Sequence, residues 1–66
     1  MIVDARGLRC PWPALRAARV LRSAPTVEIE ADDPAAAREL AALASAQGLE
    51  FEALSPGRFR ISQPRG

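Results

Sequence analysis

The chain has 66 residues, nine Arg against eight Asp or Glu, a formal net charge of +1, a single cysteine, and neither histidine nor lysine. That length supports one modest core and excludes a deep enclosed active site. The lack of imidazole excludes most metal-ligand sets and every Cys-His or Ser-His pair, and one cysteine excludes an internal disulfide.

With 48% hydrophobic and 26% charged residues the chain reads as an ordinary globular protein. No apolar run approaches the ~18 residues that a bilayer span needs. The start, Met1-Ile2-Val3-Asp4, lacks the basic and apolar segments of a signal peptide. Cytoplasmic residence, no membrane partner and no cofactor are therefore expected. The all-arginine basic set and the abundant alanine are read as coding bias.

Charge is zoned along the chain. Residues 1–25 carry five Arg against Asp4, residues 26–53 carry seven acids against Arg38, and Arg58, Arg60 and Arg65 follow. Separate basic and acidic zones favour directional docking on charged protein surfaces. The basic zone is small and has one nearby aromatic, Trp12, which argues against direct nucleic-acid binding.

In chain order, Met1–Ala5 suits a short first strand that Gly7 breaks. From Pro11 to about Ser23 the spacing is helical, with Ala14, Ala17, Ala18 and Leu21 on one side and Trp12, Arg16 and Arg19 on the other. Pro11 and Pro13 fit its first turn, where backbone N–H groups have no intrahelical acceptor. Ala24-Pro25 ends it.

Thr26–Ala31 alternates Val27, Ile29 and Ala31 with Glu28 and Glu30, as a half-buried strand does. Asp33-Pro34 supplies a capping acid and an N1 proline for a second helix running to about Gln47. That helix buries Ala36, Leu40, Leu43 and Ala44 and stops at Gly48. Two strands between Glu50 and Ser62 flank Ser55-Pro56-Gly57. Phe51 and Ala53 share a face with Ile61 and Phe59 only if the loop count is odd, which pairs Glu52 with Arg60. The order is βαβαββ, an α/β (α+β) two-layer sandwich with both helices on one face of a four-stranded mixed sheet. Residues 1–62 form one domain, and residues 63–66 are expected to be a frayed tail.

The chemistry concentrates in Asp4-Ala5-Arg6-Gly7-Leu8-Arg9-Cys10-Pro11-Trp12-Pro13. Cys10 falls at the expected N-cap of the first helix, where free N–H groups and the helix dipole favour a thiolate. Arg9 and Arg6 would add to that bias. Gly7 lets the loop turn sharply before the thiol. A free cysteine is among the most often buried residues and in a small protein is usually core, so the residues alone leave a reactive thiol and an inert one both open.

The segment resembles the signature of the TusA/SirA-like sulfur-carrier family, Asp-x-x-Gly-x-x-Cys-Pro-x-Pro, matched by Asp4, Gly7, Cys10, Pro11 and Pro13. The resemblance continues through Asp32-Asp33-Pro34-Ala35 and the element order, and so covers essentially the whole chain. It implies a sulfurtransferase whose Cys10 accepts sulfane sulfur as a persulfide. The donor would be a cysteine desulfurase or rhodanese-type enzyme, and a downstream acceptor protein would receive the sulfur. The resemblance also implies a structural role for Asp4, bonding loop N–H groups that hold the Cys10 turn.

Persulfide exchange needs an accessible thiolate but neither metal nor imidazole. Arg9, Trp12, Arg16 and Arg19 are the candidate partner-binding residues, with exposed Trp and Arg the usual anchors of protein interfaces. The alternative for Trp12 is that it folds over the helix end or the hairpin. The competing function is a non-catalytic regulatory or protein-binding module with an unreactive Cys10.

Overall fold

The computed structural model describes residues 2–64. Strand β1 (Ile2–Asp4) leads through a loop to helix α1 (Trp12–Leu21). Strand β2 (Thr26–Glu30), helix α2 (Ala36–Ala46) and the hairpin β3 (Glu50–Ser55) and β4 (Arg58–Ser62) follow. The sheet order is β1-β2-β4-β3, with β1 parallel to β2 and both β2 and β3 antiparallel to β4. The sequence therefore specifies the element order and the mixed sheet.

Period-two alternation decides which face of the sheet is covered. Val27 and Ile29 of β2, with Phe59 and Ile61 of β4, are buried among Ala17 of α1 and Ala36, Leu40 and Ala44 of α2. The opposite face carries ion pairs between Arg60 and Glu52 and between Arg58 and Glu28. The first of these is the expected cross-strand pair.

The hairpin register is the expected one, Phe51 opposite Ile61 and Ala53 opposite Phe59. The odd count arises from a bulge at Leu54 above a two-residue turn at Pro56-Gly57, since Ser55 pairs with Arg58. Gly57 has φ +80°, and a Cβ there would come within 3.1 Å of the Ala31 carbonyl oxygen. Phe51 and Phe59 stack with ring centroids 5.9 Å apart. Ala53 shares their face yet stays exposed, because β3 is the outermost strand.

Several boundaries and burials differ from the expected ones. On α1 the buried residues are Pro13 and Ala17, with Ala14 and Leu21 only half-buried. Pro13 sits in the first turn, where its missing N–H costs no bond and its ring can pack inward. Leu43 of α2 is half-buried, on the flank of the Ala36–Leu40–Ala44 stripe. Gln63, expected to begin a frayed tail, donates its N–H to the Pro25 carbonyl at 3.0 Å. Met1, Arg65 and Gly66 lie outside the described residues.

Alanine fills so much of this core that Leu40, 0% exposed, carries an outsized share of the apolar contact. Leu40→Ala is expected to lower stability by roughly 2–5 kcal/mol, enough to leave a domain of this size largely unfolded, as read by circular dichroism in urea. A loss under ~1 kcal/mol would contradict this core assignment.

Candidate functional site

The loop between β1 and α1 closes few backbone bonds of its own, the Leu8 N–H to the Ala5 carbonyl at 3.1 Å among them, and carboxylates take three more of its N–H groups. Asp4, at the end of β1, accepts the Arg6 N–H at 3.1 Å and grips the Arg6 guanidinium with both oxygens, at 2.9 and 3.1 Å. Asp32 accepts the Gly7 N–H at 2.8 Å, and Asp33 accepts the Cys10 N–H at 2.7 Å. Gly7 itself has φ +83°, a conformation that a side chain would strain, although a Cβ there meets nothing within 4 Å. The Arg6 pairing drives the Asp4 carboxyl down to about 2.

Cys10 is exposed and free, one residue before the helix cap, and the Cys10–Pro11 peptide bond is cis. The cap position belongs to Pro11, with no side-chain cap hydrogen bond. Its carbonyl accepts the Leu15 N–H at 3.1 Å, and the Arg9 carbonyl accepts the Trp12 N–H at 2.8 Å. A turn over Arg9–Trp12 thus precedes the helix and moves the expected cap on by one residue.

The thiol is not paired with helix amides. Its S–H donates to Oε1 of Glu39, which reaches across from the first turn of α2. This bond, burial and the nearby charges of Glu39 and Asp33 raise the Cys10 pKa above its ordinary value. The expected shift is downward, and the direction is corrected: the Glu39 hydrogen bond, burial and two carboxylate charges all favour the protonated thiol. Nor do the arginines act as expected. Arg6 is held by Asp4, and the Arg9 charge bears on Asp33, whose carboxyl it helps to lower.

The cap of α2 falls at Ala35, with no side-chain cap hydrogen bond, and not at the expected Asp33, which bonds in two directions instead. Oδ1 of Asp33 accepts the Ala35 N–H at 3.2 Å at the entry to α2 while Oδ2 holds Cys10, and these two backbone hydrogen bonds are the main cause of its lowered pKa.

The structure separates the candidate partner-binding residues into two places. Arg9 lines a shallow recess with Gly7, Asp32 and Asp33, on the Cys10 loop. Trp12, Arg16 and Arg19 line a second, open groove on the outer side of α1, beside Ile2 of β1. Trp12 is 57% exposed and not folded away.

Asp32 and Glu39 were not singled out from the sequence as site residues. Glu39 carried one usable signal. It lies three residues after Ala36 and next to Leu40, so it flanks the buried stripe of α2. An acid there must lie close to whatever α2 packs against.

A thiol held by Glu39 should react with iodoacetamide only as pH rises past the ordinary cysteine range, because only the thiolate is alkylated. The rate at pH 7 is expected to be below that of free cysteine, rising through a midpoint higher than that of free cysteine. A midpoint more than one unit lower than that of free cysteine would contradict the Glu39 contact.

Comparison with known proteins agrees with this architecture. A model of the family described as sulfurtransferase TusA matches residues 1–62. A protein of Archaeoglobus fulgidus described as a putative sulfur carrier protein is 39% identical over 65 residues, covering 89% of this chain and 84% of its own. A crystal structure of a SirA-like protein from Desulfitobacterium hafniense superposes with a TM-score of 0.82 at 27% identity, covering 98% of this chain and all of that one. On its sequence motif, its fold and these matches, the chain belongs to the TusA sulfurtransferase family.

Proposed function

We propose that this protein is a sulfur carrier that accepts sulfane sulfur as a persulfide on Cys10 and passes it to an acceptor protein. The observation that carries the proposal is the exposure of Cys10, the chain's one sulfur nucleophile, at the head of α1 inside the family motif.

The chemistry asks little of a small domain. The Cys10 thiolate attacks the outer sulfur of a donor persulfide, the donor S–S bond breaks, and the donor thiol leaves. In the second half an acceptor thiolate attacks the outer sulfur now on Cys10, and Cys10 becomes the leaving thiol. No metal, base or cavity is needed, which suits the shallow, open recesses found among the described residues. The donors of the right class are a cysteine desulfurase or a rhodanese-type enzyme, and the partner supplies the rest of the active site.

Asp4, Gly7, Pro11 and Pro13 serve in this proposal as the frame of the loop. Arg9 lies on the loop that carries Cys10, lining the recess with Asp32 and Asp33, and Trp12, Arg16 and Arg19 form a docking surface for an acidic partner face. A large aromatic flanked by two cations combines apolar contact with charge steering. Among the described residues no helix is long and apolar enough to cross a membrane. Cytoplasmic work between soluble partners is part of the proposal.

Incubation with cysteine and a desulfurase is expected to add one sulfur, about 32 Da by mass spectrometry, that dithiothreitol removes by thiol exchange. Cys10→Ser should take up none; equal uptake by that variant would end the proposal. If Cys10 neither loads nor alkylates in the folded protein, a non-catalytic binding module is the correct description.

The docking surface has its own test. Arg16→Glu with Arg19→Glu should slow uptake from the desulfurase about tenfold or more while leaving uptake from glutathione persulfide unchanged. Equal slowing with both donors would place these arginines in the transfer chemistry and not in docking.

A further inference from the structure

Glu39 presents one carboxylate oxygen to the Cys10 thiol, while its other oxygen, Oε2, is buried without a hydrogen-bond partner among the described residues. A carboxylate in that position depends on the single S–H bond it receives, because an unpaired buried oxygen already carries a desolvation cost.

Loading changes this bond. In Cys10–SH + R–S–SH → Cys10–S–SH + R–SH, the new S–S bond forms at Sγ and the donor's S–S bond breaks. The Sγ proton ends on the donor thiol, and no net oxidation occurs. The inner sulfur of the loaded form therefore carries no hydrogen. The hydrogen that remains sits on the added sulfur, one S–S bond of about 2 Å farther out. Oε1 then faces a sulfur lone pair, and Glu39 has lost its donor while Oε2 still has none.

We propose that Glu39 sets how tightly Cys10 holds sulfur: its carboxylate stabilises the empty thiol relative to the persulfide, so that loaded protein gives its sulfur up readily. The proposal rests on the persulfide-carrier function above and extends it to a residue outside the motif. The raised pKa of Cys10 agrees with it, since the same contact that favours S–H over S⁻ favours S–H over S–S. The cost of this arrangement is a smaller thiolate fraction for uptake; its return is an easier second half of the transfer.

The test is an equilibrium partition. Full-length protein is mixed with a fixed ratio of glutathione persulfide to glutathione, and the ratio of loaded to empty Cys10 is read by intact mass. Glu39→Gln keeps the shape but removes the charge and can donate an N–H to the inner sulfur. Glu39→Ala removes the group altogether and uses the strongest helix former, so α2 is kept if the amide variant folds poorly. Both are expected to raise the loaded-to-empty ratio about tenfold or more, the scale of one charge-assisted hydrogen bond.

A ratio within twofold of the wild type, or one that falls, overturns the role of Glu39 while wild-type loading leaves the carrier function standing. If the wild type itself takes up no sulfur, the carrier function fails and this inference fails with it. Faster iodoacetamide alkylation of both variants at pH 7 is expected alongside, and an unchanged alkylation profile would also overturn the proposal.

Discussion

Seven residues of irregular chain separate the end of β1 from the first residue of α1, counting Ala5 to Pro11, and carboxylates outside that stretch hold three of their amides. Asp4 holds Arg6 from the strand the loop leaves, while Asp32 and Asp33 hold Gly7 and Cys10 from the entry to α2. These bonds make the position of the sulfur a consequence of how α2 enters its own helix. Because β2 ends at Glu30 just before these acids, and β1 pairs with β2 up to Asp4 opposite Glu30, the strand register aligns the two loops. Moving either strand by one residue would separate donors from acceptors and turn every side chain to the other face.

The same geometry replaces a basic thiol environment with an acidic one. The N-terminal zone holds most of the arginines, yet the thiol's neighbours are carboxylates contributed by residues 33 and 39. The Glu39 bond and the two carboxylate charges favour the protonated form of a thiol that is itself exposed.

Much of this was legible in the chain. Alternation in Val27–Glu28–Ile29–Glu30 and in Arg58–Phe59–Arg60–Ile61 identifies the covered face, and the parity of the hairpin loop alone pairs Glu52 with Arg60. Gly7, Pro11 and Pro13 marked the loop and helix start because each has a backbone reason to be there. The Cys10 environment was legible only in part. A local rule places a cysteine near a helix start in a positive field, but the groups that decide its ionisation lie 23 and 29 residues away. Their approach is set by the packing of α1 on α2, which no local pattern encodes. The cap assignment moved by one residue for a similar reason: a turn closed by the Arg9 carbonyl intervened before the first helical bond.

The bulge at Leu54 has a consequence beyond the hairpin. An open sheet leaves two rims of unpaired amides that invite other chains to add on, with fibrils as the extreme outcome. On one rim β1 is only three residues long. On the other the bulge breaks the regular spacing of β3, whose outer half also carries Glu50 and Glu52. Neither border offers a long flat template, so the addition of another strand at either rim is disfavoured.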